Sequence, residues 1–295
     1  GSEGFLGKHI CAALKEGGHV VTGLDMVSSE GMVGYYPHST IYPGTGYIRS
    51  DITKLMPRVY VDAVVHLAAI ASPSLCDANP SLAFDVNVHG TSQVLRLALE
   101  SGAKKFVFSS SAHVYDIPPK YLPTDEVHPL RLNNTYTTTK LLGEQLCQLY
   151  FENHGLSYTT LRLFNAYGPG QGPGYFIPDM MAKAKAGEIE LSGGETTKDW
   201  IWVGDVADAF CRAVETVYVG PLNIGTGVET PLSEIARIIA CDCDATLRLV
   251  PSTTYTRMRA DYRRARDVLG WTPQMDIYGG LRATLDHAKA RSLVA

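Results

Sequence analysis

The sequence predicts an α/β protein: a doubly wound parallel sheet with helices on both faces, followed by a smaller C-terminal α/β domain. Three observations carry this reading. Short apolar runs alternate with helix-period segments along all 295 residues, the order that buries a parallel sheet between helical layers. The chain opens on Gly1, Gly4 and Gly7, ahead of a helical segment and then a strand that ends in an acid, Asp25. Further on, the apolar run from Phe106 ends in Ser109, Ser110 and Ser111 and precedes a helix carrying Tyr136 and Lys140.

Size and composition narrow the function classes. The chain is long enough for one large domain or two small ones, and its 45% hydrophobic and 19% charged residues are ordinary for a globular protein. A net charge of -4 gives no basic footprint for nucleic acid. No apolar run approaches the ~20 residues of a membrane span, and no secretory segment opens the sequence. Cys11, Cys76, Cys147, Cys211, Cys241 and Cys243 are scattered, and no histidine set or second cysteine pair completes a zinc site. They read as reduced thiols of a cytoplasmic protein, with no metal expected.

Taken in order, the glycines of GSEGFLG have GxxGxxG spacing. Glycines let a backbone turn tightly against a pyrophosphate, while the following helix N-terminus supplies N–H groups and a favourable dipole. The helix runs through Leu14, and His19 to Asp25 reads as a strand. Asp25 stands where a carboxylate can accept hydrogen bonds from the adenosine ribose hydroxyls and repel a 2′-phosphate, which favours NAD over NADP. Such a fold also needs a strand before the glycine turn. One is therefore expected to precede Gly1 in a longer protein, and without it the sheet lacks a central strand and cofactor binding is in doubt.

Val27 to Gly46 reads as loop, Tyr47 to Ser50 as a short strand, and Ala63 to Leu67 as a buried strand. Asp51 and Ile52 stand where a carboxylate and an amide meet adenine, or where an Asp caps a short helix at Lys54. His66 reads as structural. Asn79 to Leu99 reads as one long helix, in which Gly90 marks close packing or a nearby cofactor.

The central stretch carries the chemistry. Phe106 to Ser111 reads as a buried strand that stops at a polar edge. The next helix is capped by Asn133 or Asn134. Tyr136 and Lys140 lie one turn apart on one face of it. A free phenol has a pKa of about 10. A neighbouring ammonium and a cationic nicotinamide both favour the phenolate, and a shift of roughly three units would make Tyr136 a proton acceptor near neutrality. Ser111 can hold the reacting hydroxyl from the other side. A lone YxxxK is usually only an exposed Tyr and Lys on a helix, so the reading depends on the rest of the chain.

Downstream, strands are expected at Tyr158 to Leu163, Asp199 to Val203 and Leu222 to Gly225. Helices are expected at Ile177 to Ala186, Asp205 to Val217, Pro231 to Ala240, in the tail through Leu269, and from Ile277 to Ala290. Ala166 to Gly170 reads as a loop.

These pieces resemble the extended short-chain dehydrogenase/reductases, in particular the NAD-dependent epimerase/dehydratase branch acting on nucleotide sugars. The likeness spans nearly the whole chain. It rests on GSEGFLG, Asp25, Asp51-Ile52, HLAA at His66, NVHGT at Asn87, SSSAHVY at Ser109, YTTTK at Tyr136, RLFNAYGPGQ at Arg162, KDWIWVGDVADA at Lys198, NIGTG at Asn223 and LGWTP at Leu269.

The resemblance implies a Rossmann-type NAD-binding domain over residues 1–165 and a nucleotide-sugar-binding domain over 166–295, with about 199–226 folding back onto the first. It implies Ser111, Tyr136 and Lys140 as the catalytic triad. Gly1, Gly4, Phe5, Leu6, Gly7, Asp25, Asp51, Ile52, Leu67, Ala68, Ala69, Asn87, Ser109, Tyr136 and Lys140 are implied around NAD. Ser111, Asn165, Lys198 and Arg257 or Arg259 are implied around the substrate. Lys198 stands where the family often has Arg, which keeps the charge and loses the bidentate fork. Dehydratases of the branch carry Asp-Glu straight after the catalytic hydroxyl. Here Ala112 and His113 stand there, which argues against a 4,6-dehydratase. His113 reads as packing under the substrate loop, or as a third acid/base. The expected activity is nucleotide-sugar 4-epimerisation, with UDP-glucose and UDP-galactose first among the substrates. The alternatives are an NAD(P)H-dependent nucleotide-sugar reductase and a non-catalytic NAD-binding scaffold. A homodimer through a four-helix interface built from Asn79–Leu99 and Asn134–Phe151 is also implied.

Overall fold

A computed structural model describes residues 1–27, 40–42, 46–54, 56–57 and 59–294. The architecture is α/β with parallel strands, as the alternation predicts. Four parallel strands lie side by side in the order Gly220–Ile224, Ser157–Leu163, Lys105–Ser111, Ala63–His66. Three more form a separate sheet, in which Gly23–Asp25 runs parallel to Tyr47–Arg49 and Thr40–Tyr42 runs antiparallel to it. The glycine turn lies between these two sheets. The Ser2 amide donates to Leu24 O at 3.2 Å, and a Cβ on Gly1 would stand 2.6 Å from Ala68 N.

Both faces of the four-stranded sheet are covered. On one, Ile10 and Leu14 of the helix Phe5–Glu16 and Val206 and Phe210 of the helix Val203–Glu215 pack with Val107 and Leu161. On the other, Leu95 of the helix Gly90–Glu100 and Cys147 of the helix Thr135–His154 pack with Phe106 and Phe108. Ile201, Leu222 and Ile224 share the first of these cores. A separate core joins Ile177, Ile189, Ile235 and Leu281. Val27 to Gly46 lies largely outside the described residues, apart from the strand at Thr40–Tyr42.

Several elements differ from the sequence expectation, each for a local reason. The strand expected from His19 is shortened to Gly23–Asp25 because its partner begins at Tyr47, opposite Gly23. The long helix expected from Asn79 is three pieces, Pro80–Phe84, a π-helical turn Asp85–His89 and Gly90–Glu100, and a separate short helix Pro73–Ala78 precedes them. Pro80 cannot donate to the preceding turn. Asn79 instead starts a new helix, accepting from Leu82 N at 3.2 Å. Among the described residues no helix forms at Lys54; Asp51 closes a turn there by accepting from Thr53 N and Oγ1, both at 2.8 Å. Asn165–Tyr167 is a strand paired with Trp200–Trp202, where a loop was expected. The parallel pair Glu188–Ser192 and Thr246–Val250 was not anticipated.

Candidate active site

The site is assembled where Lys105–Ser111 ends and the helix Thr135–His154 begins. Asn134 caps that helix by accepting from Thr137 N at 2.8 Å, and Gly155, at φ 71°, ends it. Gly143 sets the helix flush on the strand: a Cβ there would stand 2.4 Å from the Phe108 ring. The helical face carrying Tyr136 and Lys140 therefore lies directly over the serines.

Ser111, Tyr136 and Lys140 are brought together. All three are buried, and Tyr136 and Ser111 share a side-chain hydrogen bond. Lys140 Nζ donates to Ser109 O at 2.8 Å and stands 5.9 Å from the centre of the Tyr136 ring. Burial pushes the Tyr136 phenol up to about 12, with the Ser111 hydrogen bond working the other way. It pulls the Lys140 ammonium down to about 8. The protein alone therefore does not lower the phenol's pKa as the Tyr–Lys spacing suggests, because desolvation of the phenolate outweighs the help from Ser111. Tyr175, the N-cap of the helix Phe176–Lys185, is close enough to interact electrostatically with Tyr136.

The glycine turn suits a phosphate group. Gly4 is the N-cap of the helix Phe5–Glu16, and no side chain caps it. A Cβ on Gly7 would strike Gly1 O and Ser2, so Gly7 answers to packing inside the turn. Leu6 packs into the core below, while the Phe5 ring meets His9 edge-on. Asp25 holds the turn from the strand side, accepting from Glu3 N at 3.0 Å and Val27 N at 3.2 Å. An uncapped helix N-terminus beside a carboxylate at a strand end fits a dinucleotide.

Other expected cofactor residues have protein partners. Ile52 is buried against Gly90, where a Cβ would come within 2.6 Å of its Cδ1. Packing therefore explains that glycine, and the Ile52 side chain belongs to the core. Asn87, on the π-helical turn, donates to Ile70 O and Thr139 Oγ1 and accepts from Ile70 N. Its amide is a clasp between the segment after Leu67-Ala68-Ala69 and the helix Thr135–His154. His66 is buried and structural. Thr91 Oγ1 donates to Asn87 O at 2.6 Å, so it accepts from His66 Nε2 at 2.9 Å. Burial, then Lys140, pulls His66 down to about 3.

The expected substrate residues form a second wall. Asn165 donates from Nδ2 to Asp199 O at 3.1 Å. Lys198 is half-buried, and its ammonium is met by the Met258 sulfur at 3.3 Å. His113 lies beside it, and burial, then the Lys198 charge, pulls the imidazole down to about 4. Arg259 buries an Nε that has no hydrogen-bond partner among the described residues. Arg257 is already engaged: more than half exposed, it grips Glu229 with two bonds of 2.8 and 2.6 Å.

Sequence reasoning missed two groups. Asp199 is fully buried and accepts from Thr226 N, Thr226 Oγ1, Gly227 N and Ala260 N at 2.7–2.9 Å, tying Lys198 and Arg259 to one scaffold. Arg162 and Glu144 form a buried pair behind Lys140. A charge inside the apolar run at Tyr158–Leu163 is a signal that could have found this pair.

Residues 1–225 match the model of the NAD dependent epimerase/dehydratase family. A UDP-glucose 4-epimerase of Mycolicibacterium smegmatis is 30% identical over 99% of this chain and 98% of its own length. UDP-glucuronic acid decarboxylase 6 of Arabidopsis thaliana is 29% identical over 95% of this chain and 85% of its own. The crystal structure of Thermus thermophilus UDP-glucose 4-epimerase in complex with NAD is similar, with a TM-score of 0.83, 25% identity, and 98% and 97% of the two chains covered. With a family match over most of its length, the chain belongs to the NAD dependent epimerase/dehydratase family.

Proposed function

We propose that this protein is an NAD-dependent nucleotide-sugar 4-epimerase, with UDP-glucose and UDP-galactose as the first pair to consider. The observation that carries the reading is the buried convergence of Ser111, Tyr136 and Lys140 at the end of a central parallel strand. A non-catalytic scaffold has no need of it. Bound NAD would accept a hydride from C4 and later return it. Tyr136 takes the proton of the 4-hydroxyl and gives it back after the keto sugar has turned. Ser111 donates a hydrogen bond to the reacting oxygen, and the Lys140 ammonium offsets the cost of a buried phenolate. Gly4 and the start of the first helix would hold the cofactor's pyrophosphate, and Asp25 its adenosine ribose. Lys198 and Arg259 would meet the diphosphate of the sugar nucleotide. Residues 166–295, apart from the returning segment, supply that second half of the site.

Exposed Leu82 and Phe84 on one helical segment, and Leu149 and Phe151 on the catalytic helix, support pairing of two copies through these helices. No helix among the described residues is long and apolar enough to cross a membrane.

The test uses NAD supplied once, in an amount equal to the protein. An epimerase interconverts UDP-glucose and UDP-galactose with no net build-up of reduced cofactor. Consumption of NAD(P)H with a 4-keto nucleotide sugar would assign a reductase instead. Release of carbon dioxide from UDP-glucuronic acid would place the chain with its decarboxylase relatives.

A further inference from the structure

Arg162 sits in the middle of a buried strand, where a guanidinium needs a paired charge and hydrogen bonds to its donors. Its Nε and Nη2 donate to the two oxygens of Glu144 at 3.0 and 2.6 Å. Its Nη1 donates to Tyr115 Oη at 3.1 Å and Glu126 O at 3.2 Å. Tyr115 Oη in turn donates to Asn223 Oδ1 at 2.5 Å. Ser110, Arg162 and Asn223 stand opposite one another on three adjacent strands, forming one polar row across the sheet.

Glu144 lies one helical turn beyond Lys140 and accepts from Ser110 Oγ at 2.6 Å. Lys140 donates to the carbonyl of the preceding residue, Ser109. The catalytic helix is thus pinned to the strand at two successive residues, and the next residue is Ser111. A slip at either pin would move Lys140 and Tyr136 relative to Ser111.

The surroundings of Lys140 single out Glu144 electrically. From its own helix it is faced by Tyr136 and Glu144, and from the strand Lys105–Ser111 by Ser109 O and the Phe108 ring at 5.3 Å. Cys76 reaches it from the helix Pro73–Ala78, and His66 from the strand Ala63–His66. Burial keeps Tyr136 and the Cys76 thiol protonated and His66 neutral near pH 7. That leaves Glu144 as the anion of this set.

We propose that Glu144, locked by Arg162, is a positioning residue for the reacting groups: it fixes the register of the catalytic helix on the serine strand and supplies the counter-charge to the Lys140 ammonium. The proposal rests on the reading of Ser111, Tyr136 and Lys140 as the reacting groups.

The test titrates the Lys140 ammonium by NMR in the full chain labelled with 15N-lysine, using Lys140→Met to assign the signal. It is paired with turnover measured across pH. In Glu144→Gln, Lys140 is expected to titrate about one unit lower, and turnover to fall at least about tenfold. Glu144→Asp, which restores the charge on a shorter arm, is expected to recover most of the titration shift and less of the turnover. If the bare Arg162 left in Glu144→Gln prevents folding, the double variant Glu144→Gln with Arg162→Gln removes both charges and carries the same expectation for Lys140. A folded variant whose Lys140 titrates as in the unmodified protein, or that turns over at the unmodified rate, overturns the proposal. An unmodified chain with no turnover would refute the functional reading, while the titration would still decide the role of Glu144.

Discussion

Arg162 and Lys198 are both cations drawn away from water, yet they are treated in opposite ways. Arg162 has a bidentate carboxylate, a tyrosine oxygen and a backbone carbonyl. Burial works against its charge, but the hydrogen bonds and charge of Glu144 prevail and its pKa is raised. Lys198 has a thioether and no acidic partner among the described residues, and burial lowers its pKa. Arg259, the chain neighbour of Met258, leaves its Nε unmet among the described residues. The difference separates construction from recognition. A cation paired with a carboxylate and with four of its five donors used inside the protein holds elements together. One partly buried with donors unspent is suited to an anion that arrives from outside.

The comparison breaks most visibly if Arg162 is removed. Arg162→Met leaves Glu144 buried and unpaired, so a stability loss of about 3–5 kcal/mol is expected in urea unfolding. Lys198→Met is expected to leave the unfolding midpoint nearly unchanged. Equal losses for the two would show that Lys198 is also structural.

The reacting wall responds differently again. Tyr136→Phe removes the proton acceptor and keeps the ring, so epimerisation should fall by roughly 10² or more while circular dichroism stays the same. Turnover close to that of the unmodified protein would remove Tyr136 from the chemistry. On the recognition wall, Lys198→Met should weaken UDP-sugar binding by about 10–10²-fold and leave NAD affinity alone, as calorimetry can show. A matching loss of NAD affinity would mean that Lys198 serves the fold of the cofactor site.

The smallest expected effect concerns pH. His66 is held near 3 in the folded protein against an ordinary 6.5, so between these values the unfolded chain binds a proton that the native one refuses. Stability from this histidine is complete above about 6.5 and is lost as pH falls toward 3, at about 1.4 kcal/mol per pH unit. His66→Gln should flatten the acid side of the stability curve by that slope. An unchanged slope would mean that His66 takes up its proton without opening the fold.

Sequence by itself determined what rests on local spacing. Tyr136 and Lys140 are four apart on one helix, the three serines end one strand, and the glycine turn precedes one helix. Each arrangement is set by the period of its own element. The alternation of strands and helices likewise gave the class of the sheet. What the tertiary structure decided involves partners far apart in the chain. Glu144 meets Arg162 18 positions away, and Asp199 accepts from residues 27 and 61 positions further on. A lone charge in an apolar strand announces that a partner exists without saying which residue it is. The strands Glu188–Ser192 and Thr246–Val250 find each other across more than fifty residues, though the first alternates exposed and buried positions as a strand should. Asn87 and Ile52 carry motifs that suggest a ligand, yet in the folded chain one clasps a backbone loop and the other fills the space above Gly90. The phenol's pKa was also beyond the sequence. Spacing places an ammonium near Tyr136, but burial sets which state of the phenol is favoured, and burial is a property of the packed molecule.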